Sequence, residues 1–468
     1  MLITVQEDAK WKQSLQEAIN RAKRLSTSVL FSVVERVDRV DPLSFFANGR
    51  ERFFGERFFW KNPLDETTIV GFGICETIRT DEKERRFHHV ERAWQSRLEQ
   101  AVIANRYEET GIGPLLFGGF SFDPHKRRTK LWEHFAHSHF QLPRFMYTEK
   151  NGRAYLTMNV LLSGDDDETV VERLEEEKKR LIETALERPL FSPNRLLAQV
   201  EVDRERWKET VAAIVSELKA SALKKVVLAR ELRLSYEAPI ACEPVLFQLC
   251  EQQQHCIIFA LESKQDCFIG ATPERLIKKD GRLLTTACVA GSIRRGETED
   301  EDVRLGEALL NDEKNRVEHQ YVVDMIREAI GPYCDELTLP DRPTLLKTRD
   351  IQHLYTPVVA MAKPEASLLL FVDRLHPTPA LGGYPKEEAV EKIRNVETLE
   401  RGLYGSPLGW LDFEGNGDFV VAIRSGLIQG NDVSLFAGCG VVEHSHVESE
   451  YEETNVKFRP MLSALGGL

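Results

Sequence analysis

The chain has 468 residues, which is roughly two to four domain-sized units or one large compact enzyme. Lys and Arg number 62 against 75 Asp and Glu, a net charge of −13 with no basic stripe to offset it, and that excludes a grip on a nucleic-acid backbone. With 42% hydrophobic and 29% charged residues the composition is globular; apolar runs such as SLLLFV (367–372) fall far short of the ~20 residues that span a bilayer. The start MLITVQEDAKWKQ interrupts any apolar signal core with Gln6, Glu7, Asp8 and Lys10, so a cytoplasmic protein is expected, without a membrane or nucleic-acid partner.

Residues 9–26 predict an amphipathic helix with Trp11, Leu15, Ala18 and Ile19 on its buried side. Strand-like runs follow at SVLFSVVERV, TTIVGFGIC, GPLLFGGFSF and RAYLTMNVLL. The acidic stretch 163–187 reads as a charged surface helix, and Pro189, Pro193 and Asn194 mark a boundary near residue 200. Beyond it come a helix (DRERWKETVAAIVSELKASAL), a β-branched run (KKVVLARELRLSY), and strands at CIIFAL, CFIGATPERL and RLLTTACVAGSI. NDEKNRVEHQYVVDMIREAI predicts a long helix with Val317, Tyr321, Met325 and Ile326 on one side. DFVVAIRSGLI and NDVSLFAGCGVV predict two more strands, and SHVESEYEETNVKFRPMLSAL a closing helix. Consecutive hairpin-like strands beside single long helices argue for α+β rather than regular βαβ alternation. Two regions are expected, an N-terminal one over 1–200 and a catalytic one over 201–468, joined in one compact unit.

The common nucleotide and hydrolase signatures are absent. There is no P-loop, no G-x-G-x-x-G between strand and helix (Gly71-Phe72-Gly73 lacks the third glycine) and no G-x-S-x-G elbow. The eight cysteines form no C-x-x-C pair and read as reduced, non-catalytic thiols. His134, His137 and His139 lack a carboxylate partner at fixed spacing and read as structural; His444 and His446 flank a site rather than form one. More informative is the end of the chain, where Glu450, Glu453 and Lys457 share one helical face. Just upstream, Gly438-Cys439-Gly440 would let backbone N–H groups approach a ligand. Anion-binding amides, paired carboxylates and a lysine within 20 residues suggest an anionic substrate bridged by a metal.

Six stretches resemble the chorismate-utilising enzymes and occur in the family's order: KVVLAR (225–230), IGATPERL (269–276), AGSIRRG (290–296), EHQYVVD (318–324), AIRSG (422–426) and GCGVVEHSHVESEYEETNVK (438–457). The resemblance covers about residues 200–468. GFGICETIRT and FGGFSFDP extend it more weakly to the menaquinone-type isochorismate synthases. It implies a fold of largely antiparallel sheets with helices outside, and a reaction on chorismate.

Within that family, Lys225 stands where the ammonia-using anthranilate synthases carry glutamine, and a lysine there marks the isochorismate and salicylate synthases, which use water. Ala290 stands where aminodeoxychorismate synthases carry a nucleophilic lysine, and the chain has no glutamine-amidotransferase cysteine motif, so no such subunit is expected. Isochorismate synthase is therefore the expected activity, with salicylate synthase the rival. The resemblance implies that Lys225 is the base and Glu274 the acid, each displaced from its ordinary pKa; Lys224 points to the opposite strand face. It implies Mg²⁺ as cofactor, held by Glu318 and Glu453 directly and by Glu450 through water. Arg424 and Tyr404 match residues that hold the substrate carboxylate, Gly438 and Gly440 would donate N–H groups, Lys457 adds positive charge, and Ser292 offers a hydroxyl. His353 matches a histidine near the reacting ring, His376 reads as structural, and Asn315 replaces an acid that several relatives carry near Glu318.

Overall fold

A computed structural model of the protein describes residues 2–167, 169–184, 194–349 and 351–466. Pro189 and Pro193, and the end of the 163–187 helix, lie outside the described residues. The strands form one continuous hydrogen-bonded network, antiparallel except where Val29–Val37 runs parallel to Val102–Ala104. Its hub is the Ser138–Lys150 strand, which pairs with Thr67–Thr80, Leu115–Phe120 and Arg153–Leu162.

Two arms leave this hub. The first runs from Thr67–Thr80 through Arg57–Asn62, Ile257–Ser263, Asp266–Thr272, Ser425–Gln429 and Asp432–Val441 to Lys225–Tyr236. The second runs from Leu115–Phe120 through Pro407–Asp412, Gly417–Val421, Arg275–Asp280 and Leu283–Arg294 to Ile351–Ala362. Strands from before and after residue 200 are thus neighbours in both arms. Where they meet, Arg57, with no exposed surface, donates to Glu262 at 2.9 Å and to Glu243 at 2.7 Å, so the charge buried with the sheet is paired.

The alternating runs form strands as the pattern requires, and the amphipathic first helix, Leu2–Leu25, buries Trp11, Leu15, Ala18 and Ile19. It begins earlier than the periodicity indicated. Three readings need correction. CFIGATPERL is not one strand but two, Asp266–Thr272 and Arg275–Asp280, and DFVVAIRSGLI breaks between Gly417–Val421 and Ser425–Gln429. In each case the chain changes arms at the break. On the Glu313–Ile330 helix the buried residues are His319, Val322, Val323, Ile326 and Ile330, while Val317 is 47% exposed. The pattern misled because His319 is polar yet buried, bonded to Ala290 O at 3.2 Å and Thr356 Oγ1 at 2.8 Å. No helix among the described residues is long and apolar enough to cross a membrane.

Candidate active site

The two arm-to-arm crossings lie side by side. Val421 N–H donates to Glu274 O at 3.0 Å, Thr272 Oγ1 to Val421 O at 2.7 Å, and Ala271 N–H to Arg424 O at 3.1 Å. Glu274 and Arg424 are the charged residues on these crossings. Arg424 sits at φ +51°, a left-handed conformation that costs a non-glycine residue on the order of 1 kcal/mol or more and that concentrates at functional sites. Glu274 is buried, and burial pushes its carboxyl up to about 7 even though Arg424, Lys225 and Lys457 pull the other way. A carboxylic acid that keeps its proton near neutral pH, ringed by three cations, can donate that proton to a leaving oxygen.

Lys225 opens the last strand of the first arm. Strand alternation exposes Lys224 and buries Lys225. The Lys225 ammonium donates to Glu318 Oε1. Opposite them is Gly440, where a Cβ would stand 2.6 Å from Lys225 Cε and 3.1 Å from Glu318 Oε1, so only glycine leaves the pair its space. The N–H groups of Gly438 and Gly440 turn away from the Lys225 strand. Val227 and Ala229 turn their N–H groups away, to Gly382 O at 2.9 Å and Glu397 Oε1 at 2.7 Å. Their cross-strand partners Gly440 and Gly438 are then non-hydrogen-bonded pairs whose N–H groups face the other edge, beyond the last rung at Ser425 and Phe436. Lys457 Nζ reaches Gly438 O on that same edge, at 2.8 Å.

The second arm supplies Ser292 and His353, register partners whose Oγ and Nδ1 are 2.8 Å apart. Burial, then Arg424 and Lys457, hold His353 down at about 3, so the imidazole is neutral at physiological pH. Tyr404 is buried, its phenol pushed up to about 12 by burial, and a Cβ on Gly438 would lie 3.3 Å from its hydroxyl. The phenol therefore stays a hydrogen-bonding group beside Arg424.

Helix Val447–Ala464 brings the acids. Burial opposes the charge of Glu453, but Lys457, with Nζ 2.5 Å from Oε1, and then Lys225 and Arg424 hold that carboxyl below its usual range. Burial, and then the charge of Glu453, push Glu450 up. The carboxylates of Glu450 and Glu453 on this helix, and of Glu318 beside Lys225, are hard oxygen donors of the kind Mg²⁺ takes. Among the described residues the three glutamates do not draw their oxygens within 4.8 Å of one another; the group that does is Cys242, Glu262 and Cys267, already next to Arg57. All eight cysteines are free.

His134, His137 and His376 have partners outside this group, whereas the His446 carbonyl accepts the N–H of Glu450 at 3.0 Å. His134 bonds Asp266 Oδ2 at 2.8 Å, His137 bonds Ser121 Oγ at 2.9 Å, and His139 is buried with its pKa lowered to about 3 by burial, so the tract is structural. His376 bonds Phe122 O at 2.9 Å. His444 is exposed beside Glu443, and His446 precedes the closing helix. Asn315 turns its amide to Asp312, the helix cap, at 2.7 Å. Sequence reasoning missed the buried pair Glu397 and Arg401. Arg401 donates to Glu397 Oε2 at 2.9 Å, Val227 O at 2.7 Å and Leu381 O at 2.9 Å, bracing the Lys225 strand three residues before Tyr404. The signal was the i, i+4 spacing in ETLER, indistinguishable there from a surface pair.

A family model described as "Chorismate binding enzyme" matches residues 14–466. Isochorismate synthase MenF of Bacillus subtilis is 43% identical over 100% of this chain and 99% of its own length. The salicylate biosynthesis isochorismate synthase of Pseudomonas aeruginosa is 37% identical over 97% of this chain and 94% of its own. Among solved structures, MenF, the menaquinone-specific isochorismate synthase from Escherichia coli, superposes with a TM-score of 0.78 at 22% identity, covering 97% of this chain and 100% of that one, and shares the fold. With nearly its whole length matched by the model and by these relatives, the protein belongs to the chorismate binding enzyme family.

Proposed function

We propose that the protein is an isochorismate synthase, converting chorismate to isochorismate by adding water at C2 as the C4 hydroxyl leaves. The observation that carries this is Glu274, a carboxyl at about 7 within reach of the charges of Lys225, Arg424 and Lys457. One residue that can give a proton and one that can take it, close together, suit a reaction in which water enters and water departs. As its contact with Glu318 opens, Lys225 releases its ammonium proton to solvent and then takes the proton of the attacking water, while Glu274 protonates the leaving C4 oxygen. Arg424, the Tyr404 hydroxyl, the Gly438 and Gly440 amides and Lys457 receive the substrate's carboxylates. Ser292 orients the neutral His353 toward the ring.

Mg²⁺, held by Glu318, Glu453 and Glu450, would neutralise and orient a substrate carboxylate. No ammonia donor is required, so no amidotransferase subunit belongs to this reading. The full-length similarity to Bacillus subtilis MenF supports a menaquinone branch, and eight free thiols support a reducing, cytoplasmic setting.

Incubation with chorismate and Mg²⁺, without ammonia, followed by chromatography, tests the reading. Isochorismate should accumulate to a reversible equilibrium. Salicylate and pyruvate as main products would favour the salicylate synthase reading, and anthranilate on adding ammonium would refute the role given to Lys225.

A further inference from the structure

The Glu313–Ile330 helix lies across the site, joined to both arms. On the second arm His319 fixes it through Ala290 O and Thr356 Oγ1. Toward the first arm its contacts are of two kinds. The charged one is the ion pair of Lys225 with Glu318. The uncharged one is Tyr321, one turn beyond Glu318, stacked on Tyr384 with ring centroids 4.9 Å apart and planes 11° from parallel. Tyr384 is the register partner of Lys225, and its carbonyl accepts the N–H of Lys224 at 2.8 Å. The two rings therefore join the segment bearing Glu318 to the segment bearing Lys225, although Tyr384 is 37% exposed.

The charged contact cannot hold the helix throughout a turnover. If Glu318 serves a cation and Lys225 gives up its proton to act as a base, the ion pair weakens at the moment the geometry matters. A face-to-face stack carries no charge and is indifferent to that change. We propose that Tyr321 and Tyr384 form a clasp that keeps the Glu318 helix seated beside Lys225 while the Lys225–Glu318 ion pair is open. They are positioning residues; this inference rests on the metal and base roles given above to Glu318 and Lys225.

The test uses the full-length protein and three substitutions, Tyr384→Phe, Tyr384→Ala and Glu318→Gln. In metal-free protein carrying Glu318→Gln, which leaves the ion pair open, hydrogen exchange over residues 313–323 should speed by about tenfold or more when Tyr384→Ala is added and stay within about twofold when Tyr384→Phe, which keeps the ring, is added instead. Calorimetric Mg²⁺ binding without chorismate should weaken by about fivefold or more in Tyr384→Ala and remain near wild type in Tyr384→Phe. Helix exchange unchanged on adding Tyr384→Ala to Glu318→Gln overturns the clasp, even if that variant melts earlier. A Phe variant as impaired as the Ala variant overturns it too, because the ring would then not be what acts. Glu318→Gln separates the two ideas. If it leaves Mg²⁺ binding unchanged the metal assignment fails, whereas normal Mg²⁺ binding in Tyr384→Ala alone means that the clasp fails.

Discussion

Replacing Lys225 by Ala, or Glu274 by Gln, is expected to lower kcat by about 10² or more, the usual weight of one general acid or base, with a smaller effect on KM. The two residues separate by pH. Glu274 acts as an acid only while protonated, so kcat should fall as pH rises through about 7, its folded-state value. The same group bears on stability. Its folded value lies above the ordinary 4.5 of a glutamate, so the folded protein binds the proton more tightly and loses stability as pH rises from about 4.5 to about 7. The loss is complete above that window and absent below it. Glu274→Gln removes the charge, so the inactive variant should melt later than wild type at pH 8, by on the order of 3 kcal/mol at most, and show no advantage at pH 4. Melting curves at the two pH values and kcat against pH check both halves. A Glu274→Gln enzyme with near-normal turnover would take that residue out of the reaction.

The second large effect concerns the cation. Glu318→Gln or Glu453→Gln should raise the Mg²⁺ concentration needed for half-maximal activity by roughly tenfold or more, as losses at metal sites commonly do. Excess chelator should abolish turnover without unfolding the chain, since the buried interior around the sheet is built largely from apolar side chains. Chorismate should tighten Mg²⁺ binding by adding an oxygen ligand. Lys225 gives the sharper check. It occupies Glu318 Oε1, so Lys225→Ala frees that oxygen and removes a repelling charge, and Mg²⁺ should bind more tightly to a protein that no longer turns over. Calorimetry without substrate measures this directly, and weaker or unchanged binding in Lys225→Ala would count against Glu318 as a ligand.

Much of this was readable before the fold was known, for identifiable reasons. Strands buried on both faces read as near-continuous β-branched and apolar runs, so Val29–Val37, Arg153–Leu162 and Lys225–Tyr236 stand close to where those runs put them. Lys224 and Lys225 could be told apart by alternation alone. What periodicity cannot register is a change of sheet. Thr272 to Arg275 and Val421 to Ser425 look like continuous strands because both flanks are apolar, yet each carries the chain between arms, and it is there that Glu274 and Arg424 enter the site. The Ser138–Lys150 hub escaped for a different reason. The histidines at 134, 137 and 139 drew that segment into a metal-ligand question, while in the fold His139 and Gln141 are buried in a strand paired on both sides. The Glu397–Arg401 brace has no sequence signal beyond its spacing, because burial of an ion pair is decided by tertiary packing.

The central claim is that water, activated beside Lys225, enters at C2 while the C4 oxygen leaves next to Glu274. Turnover of chorismate with Mg²⁺ in ¹⁸O-water, stopped early and read by mass spectrometry, tests it most directly. Isochorismate carrying one solvent oxygen, located at the C2 hydroxyl, is the predicted result. Isochorismate formed with no solvent oxygen would contradict it, because the hydroxyl would then have migrated within the substrate and neither a water-activating base nor the proposed pairing of Lys225 with Glu274 would be needed.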